Sequence, residues 1–273
     1  MTKTERRLDA ELVARGLASG REYAKEYIRA GNVCVNGVTA SKPSLTVSAQ
    51  DEITCSAAET FVGRGGHKLE KAIEIGGYNL RNVTTLDIGA STGGFTDCML
   101  RHGAATVYAI DVGRGQLHRT LVADPRVCNL EATDIRSPAL TDIIPHKTAQ
   151  FCAIDVAFIS VTLIAQYILP FLAPAANIVC LVKPQFESGR TAIGKGGIVR
   201  DPHAHITAIG NVIDCFAALG CGVKVLTFSP ITGGDGNIEY LLLMRYNSDE
   251  ACTYPDITRT VNDAFNNLKG ADR

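Results

Sequence analysis

No two of the 9 cysteines form a C-x-x-C pair, and their number is odd. A disulfide framework and a zinc ribbon are therefore excluded as organising principles; no metal is expected, and a reducing cytoplasm fits best. Neither sign of charge dominates: 27 Lys and Arg stand against 28 Asp and Glu, for a net charge of −1. That excludes a polycation that coats nucleic acid over its whole surface, but not a local basic face. No apolar run reaches the roughly 20 residues of a membrane span. The nearest window, 166–182, is broken by Pro170, Pro174 and Asn177 and closes at Lys183. It reads as a helix, a loop and a buried strand. The first nine residues carry Lys3, Glu5, Arg6, Arg7 and Asp9 with no apolar stretch behind them, so no signal peptide is expected. What is present, 46% hydrophobic and 20% charged residues, suffices for one large or two modest cores and excludes disorder over most of the chain.

Residues 1–58 read as a small module of their own. Leu8, Leu12 and Val13 have helical spacing over Arg6 to Gly16. Ser19, with Glu22 three residues on, predicts a capped second helix that Gly31 closes. Val33, Val35 and Val38 alternate around Asn36-Gly37, a strong hairpin signal, and Val47 and Ile53 suggest further strand. From Met1 to Lys42 there are eight Lys or Arg against five acids. Arg21, Lys25 and Arg29, at i, i+4 and i+8, share one helix face. That stripe is either a solvated face or a phosphate-contacting one.

Arg7-Leu8-Asp9, Gly16-Leu17-Ala18, Arg21, Ala24, Ile28, Gly31, Val35-Asn36-Gly37 and Asp51-Glu52-Ile53 together resemble an S4 domain, a small RNA-binding module of ribosomal and RNA-modifying proteins. The resemblance implies RNA contacts at Arg7, Arg21, Lys25 and Arg29.

A short connection, 59–66, contains the cationic Gly63-Arg64-Gly65-Gly66. From 67 to 247 strands alternate with helices. That pattern implies a parallel sheet covered on both faces. Strands are predicted over 85–88, 106–111, 127–130, 151–156, 178–182, 222–228 and 238–245. Helices are predicted over 67–75, 94–101, 117–121, 161–169 and 203–218. Gly233 to Gly236 would turn the chain into a closing hairpin. Residues 248–273 are expected to form a helical tail.

The first of these strands runs into Asp87-Ile88-Gly89-Ala90-Ser91-Thr92-Gly93-Gly94-Phe95. A glycine-rich turn at a strand's carboxyl end lets a ligand approach the backbone. Asp111 closes the second strand, where a carboxylate can hold ribose hydroxyls, and Asp134 follows the third, placed to flank an adenine. The spacing is G-x-x-x-G-G rather than the dinucleotide G-x-G-x-x-G, with Ser91 at the middle position. Asp87 suits a cationic ligand better than a pyrophosphate. S-adenosylmethionine (SAM) therefore fits better than NAD, with Asp87, Gly89, Ala90, Ser91, Gly93, Gly94, Phe95, Asp111 and Asp134 as its site. Glycines that merely make turns would not account for three carboxylates at consecutive strand ends.

Gly189 to Gly196 falls one residue short of a P-loop, since Gly196 replaces the Ser or Thr that would hold Mg²⁺. It reads as a basic substrate loop. Arg190, Lys195 and Arg200 along it, with Arg64 of the connection, are candidate RNA contacts.

Four charged residues sit where strands open or close: Lys68 on the helix before the first, Asp155 at the end of the fourth, Lys183 at the end of the fifth and Glu239 at the start of the last. Strand ends of such a sheet converge on the ligand crevice. Singly, each could be a charge reaching solvent. Together they can methylate a ribose 2′-hydroxyl, a poor nucleophile that must lose its proton as it attacks. Lys183 is the candidate base, Asp155 and Glu239 orient the ammonium groups, and Lys68 supplies a second cation.

Arg64-Gly65-Gly66-x-Lys68-Leu69, the Asp87–Asp97 string, Val182-Lys183-Pro184-Gln185-Phe186-Glu187, Gly194-Lys195-Gly196-Gly197 and Ser229-Pro230-Ile231-Thr232-Gly233 resemble the TlyA family. These are FtsJ-type methyltransferases of ribosomal RNA with an N-terminal S4 domain, also labelled hemolysin A. The resemblance implies a Rossmann-like class I methyltransferase domain with a seven-stranded, mostly parallel sheet. It implies SAM as donor and the 2′-hydroxyl of cytidine in 16S or 23S ribosomal RNA as acceptor. It also implies the tetrad Lys68, Asp155, Lys183 and Glu239. Gly63, His67, Ala157 and Gly234-Asp235 depart from the family pattern, and none belongs to the tetrad. Two rival readings remain: a lytic protein, and a SAM- and RNA-binding assembly factor without catalysis. A monomer is expected.

Overall fold

The structure is a computed structural model that describes residues 5–18, 21–56, 61–189, 192–247 and 254–268. The chain divides into two compact units, Met1–Arg64 and Gly65–Arg273.

The first unit contains β1 (Arg6–Arg7), α1 (Leu8–Ala14), α2 (Arg21–Arg29), β2 (Val33–Val35), β3 (Val38–Thr39), β4 (Thr46–Val47) and β5 (Ile53–Cys55). The helix expected from Arg6 begins at Leu8 instead. Arg6 and Arg7 are extended and pair with Val47 and Thr46. Leu8 and Asp9 donate their N–H groups to the carbonyls of Leu45 and Pro43, which binds the start of α1 to the strand segment rather than to a longer helix. The expected cap Ser19 lies outside the described residues. The Asn36-Gly37 hairpin forms as expected. Both residues take positive φ, 51° and 78°, as a two-residue turn between twisted strands requires. Leu8, Leu12, Ala24, Ile28, Val33 and Val47 make the core of this unit.

The second unit opens with α3 (Gly65–Gly76), two residues earlier than expected. It continues with β6 (Thr84–Ile88), α4 (Gly94–Arg101), β7 (Thr106–Ile110), α5 (Arg119–Val122), β8 (Val127–Leu130) and β9 (Ala149–Ile154). Then come α6 (Ala165–Ile168), β10 (Leu172–Val182), α7 (Pro184–Glu187), α8 (Pro202–Ala218), β11 (Cys221–Phe228), β12 (Tyr240–Tyr246) and α9 (Ile257–Leu268). One seven-stranded sheet has the order β11-β12-β10-β9-β6-β7-β8. Strands β6 to β10 are parallel, and β12 runs antiparallel to both β10 and β11. The closing hairpin thus inserts its second strand beside β10.

Strand composition explains the layering. Residues 178–182 and 240–244 are buried without alternation, as expected of strands covered on both faces. Ile209, Val212, Ile213 and Phe216 put one stripe of α8 into the same core. One expectation is corrected. The helix predicted over 161–169 breaks into 3-10 turns on either side of α6, and Pro170, which offers no N–H, accounts for the break on its C-terminal side. Within the stretch expected to form a helical tail, α9 puts Ile257, Val261 and Ala264 into the core. Among the described residues no helix is long and apolar enough to cross a membrane.

The chain passes from β6 outward through β7 and β8, then returns to β9 on the other side of β6. The order of the sheet therefore reverses between β6 and β9, the place where open α/β sheets bind ligands.

Candidate active site

The turn after β6 lies at this reversal. Gly89 has φ 87°, and a Cβ there would stand 2.5 Å from the Asp155 carbonyl oxygen. Only glycine lets the β6 and β9 strand ends approach so closely. Gly93, at φ 98°, is the N-cap of α4. Ser91 also takes positive φ, 49°, so the turn forms without a middle glycine. Asp111 holds it there. Its Oδ2 accepts the Ser91 N–H at 2.8 Å, and its Oδ1 accepts the Gly113 N–H at 2.7 Å. Gly94, Ala90 and Phe95 are buried behind the turn. A side chain at Gly65 would press within 3.3 Å of the Phe95 ring, which accounts for a glycine at that point of α3.

A cavity of about 340 Å³ opens beside the turn. Gly89, Ser91, Asp111, Asp134 and Asp155 contribute to its wall, and Ile110, Ile135 and Ile164 make an apolar flank suited to an aromatic base. Asp134 reaches the cavity, but both its oxygens are engaged by Arg136, at 2.9 and 2.6 Å. That guanidinium holds the Asp134 carboxyl below the usual carboxylate range. Asp87 is not on the wall. It has no exposed surface, its Oδ2 accepts from the Thr96 hydroxyl at 2.5 Å, and its Oδ1 has no partner. Burial pushes its carboxyl up to about 7, against the opposing Thr96 bond. The expectation that Asp87 contacts SAM directly is therefore corrected; the glycine cradle, the wall carboxylates Asp111, Asp134 and Asp155 and the apolar slot fit SAM, which is cationic and carries no phosphate.

The four charges expected at strand ends come together. Lys183 Nζ stands 2.5 Å from Asp155 Oδ1, and Lys68 Nζ stands 2.5 Å from Glu239 Oε2. Burial raises the Glu239 carboxyl. The Lys68 and Lys183 cations draw it down, and Asp155 pushes it up. Glu239 therefore feels all three other members. Asp155 lines the cavity, which brings the cluster to the edge of the SAM site.

Two residues that the sequence reading passed over support this cluster. Asn237 is buried two positions before Glu239. Its amide donates to the Gly197 carbonyl and accepts the Val199 N–H, both at 3.0 Å, and so ties the loop 194–200 to the start of β12. Glu187 accepts the Ser160 hydroxyl at 2.5 Å and the Val161 N–H at 2.9 Å, and so fixes the segment after Asp155. Asn237 had a signal in its place beside Glu239. Glu187 had only its place in the string that begins at Val182. The loop does not take a P-loop form: Lys195–Gly197 make a 3-10 turn, and among the described residues no strand leads into it.

The expected RNA contacts separate. Arg7 and Arg21 both bond the fully buried Asp9, at 3.0 and 3.1 Å, so part of their donor capacity is internal. Arg29 is exposed and Lys25 half-buried on the same helix. Arg64 is half-buried and Arg200 exposed. Arg190 and the Lys195 side chain lie outside the described residues.

Both units have counterparts among known proteins. The FtsJ-like methyltransferase profile matches residues 61–246, and the S4 domain profile matches residues 6–53. The chain is similar to YqxC of Bacillus subtilis, described as a candidate rRNA methyltransferase: 43% identity, over 98% of this chain and 97% of that one. It is 39% identical to the 16S/23S rRNA (cytidine-2′-O)-methyltransferase TlyA of Mycobacterium tuberculosis, over 95% and 97% of the two chains. A solved structure from Streptococcus thermophilus, described as a candidate hemolysin, superposes with a TM-score of 0.77 at 38% identity, over 99% of both chains.

Proposed function

The chain belongs to the TlyA family of FtsJ-like, SAM-dependent methyltransferases with an N-terminal S4 domain, and from that premise we propose that it methylates the 2′-hydroxyl of cytidine in ribosomal RNA. Two Lys–carboxylate pairs, one of them buried, beside a SAM-sized cavity carry this reading.

SAM supplies an electrophilic methyl on its sulfonium. The rest of the chemistry falls to the chain. Lys183 takes the proton of the ribose hydroxyl as the oxygen attacks, which requires Lys183 to be neutral at that moment. The Asp155 carboxylate holds the Lys183 amine and aims it. Lys68, locked on Glu239, provides the neighbouring positive charge and a grip for the substrate backbone. Holding nucleophile and methyl in line supplies much of the remaining acceleration.

The S4 unit serves as a second grip, through Arg29 and Lys25 with Arg21 and Arg7 behind them. Arg64, Arg190, Lys195 and Arg200 are further RNA contacts in this reading. Ribosomal subunits in the cytoplasm are the substrate, and the chain acts as a monomer; the apolar face of α9 is already buried in its own core, which leaves it unavailable to a partner.

The test is transfer of labelled methyl from SAM to purified ribosomal subunits. Label should appear in RNA at a linkage that resists alkaline cleavage. Label on a base, with every linkage still cleavable, would exclude ribose methylation.

A further inference from the structure

A cluster of metal-ligating side chains lies outside the catalytic machinery. Glu70 is on α3, two residues past Lys68. Cys98 and His102 are one turn apart on and at the end of α4, so they face the same way. Cys98 Sγ is 3.4 Å from Glu70 Oε2, and His102 Nε2 is 3.0 Å from the same oxygen. All three ligand atoms lie within 4.8 Å of one another. Donors at zinc's bond lengths, arranged tetrahedrally, stand about 3.3–3.8 Å apart. The two distances to Glu70 Oε2 are within a few tenths of an ångström of that spacing, and the Cys98–His102 separation, at most 4.8 Å, closes to it as the Glu70 and His102 side chains move. Both side chains have room for it, being 34% and 29% exposed.

We propose that Glu70, Cys98 and His102 form a zinc site that staples α3 to α4. One thiolate, one imidazole and one carboxylate make a borderline-soft set of the kind zinc takes, with water as the fourth ligand from the open side. Binding takes Cys98 as thiolate and releases its proton to solvent; no oxidation state changes. The staple ties the helix that carries Lys68 to the helix that opens from the SAM turn. The absence of a C-x-x-C pair hid it, because its donors come from two helices, 28 and 32 positions apart.

The test is titration of the full-length, chelator-stripped protein with Co²⁺, then with Zn²⁺. One Co²⁺ per chain should bind, with a thiolate-to-cobalt charge-transfer band in the near ultraviolet that Zn²⁺ bleaches. Cys98→Ala should abolish the band. His102→Ala and Glu70→Gln should weaken binding at least 10-fold, and Cys55→Ala should leave it intact. Zinc about 100-fold above its Kd should raise Tm by roughly 5–10 °C. Absence of the band, its survival in Cys98→Ala, or equal affinity in wild type and His102→Ala would each overturn the site. His102 is partly exposed, so its variant decides the matter even if Cys98→Ala folds poorly.

Discussion

Lys68 and Glu239 are 171 positions apart in the sequence, and their charged groups meet at 2.5 Å in a buried contact. The helix before the first strand of the sheet is thereby joined to the last strand. Removing the charge of Glu239 leaves the Lys68 ammonium buried without its counter-ion, which is costly in a low-dielectric site.

Glu239→Gln keeps the shape of the side chain and removes that charge. The expected result is a fall in kcat of about 10- to 10²-fold. SAM affinity should change less than 3-fold, because Glu239 is not on the cavity wall. Rapid-quench turnover and equilibrium SAM binding measure the two quantities. An equal loss in both would mean that Glu239 serves the cavity rather than the reaction.

Asp87 makes stability depend on pH. Its carboxyl is raised to about 7 in the folded chain from an ordinary value of 3.8. The folded state therefore holds the proton longer than the unfolded state does. The stability tied to it is complete below about pH 4 and is lost as pH rises through 7. Relative to Asp87→Asn, the wild type should lose on the order of 4 kcal/mol between pH 4 and pH 8 without SAM. Urea unfolding of both proteins across that range is the check. Parallel curves would show that Asp87 is ionised throughout.

Asn237 holds the loop 194–200 by two hydrogen bonds from one buried amide. Asn237→Ala breaks both, and its cost in stability should be about 1–3 kcal/mol. If the loop grips RNA, KM for the subunit should rise several-fold while SAM affinity stays constant. A loss confined to kcat would assign Asn237 to the placement of Glu239 instead.

Much of this site was legible because its charges interrupt apolar strands. Lys183 follows Leu181-Val182, and Asp155 follows Ala153-Ile154; such residues at strand ends point into the crevice of an open sheet. The Asn36-Gly37 turn was legible from local backbone preference alone. Other features depend on partners distant in sequence. Arg6 and Arg7 have helical neighbours, and only their pairing with Thr46 and Val47 makes them strand. Asp111 was read as a ribose ligand, yet its oxygens also hold the turn, through Ser91 and Gly113. Asp134 is similar, being held by Arg136. The periodicity of Arg21, Lys25 and Arg29 was correct, but periodicity does not reveal that Asp9 engages Arg21.

That distinction makes the helix stripe testable. Arg29 is exposed, whereas Arg21 also supports the fold through Asp9. Arg29→Ala should weaken RNA binding and lower the slope of log affinity against log salt by about one. Its Tm should not move. A weaker affinity with an unchanged salt slope would remove Arg29 from the phosphate-contacting face.

The central claim is that Lys183 takes the ribose proton. Its most direct test is single-turnover methyl transfer to ribosomal subunits by wild type and Lys183→Ala, each saturated with SAM and RNA. The account requires a loss of 10²-fold or more in the rate of the bound complex, with both affinities retained. A variant that transfers methyl at the wild-type rate once saturated would contradict it.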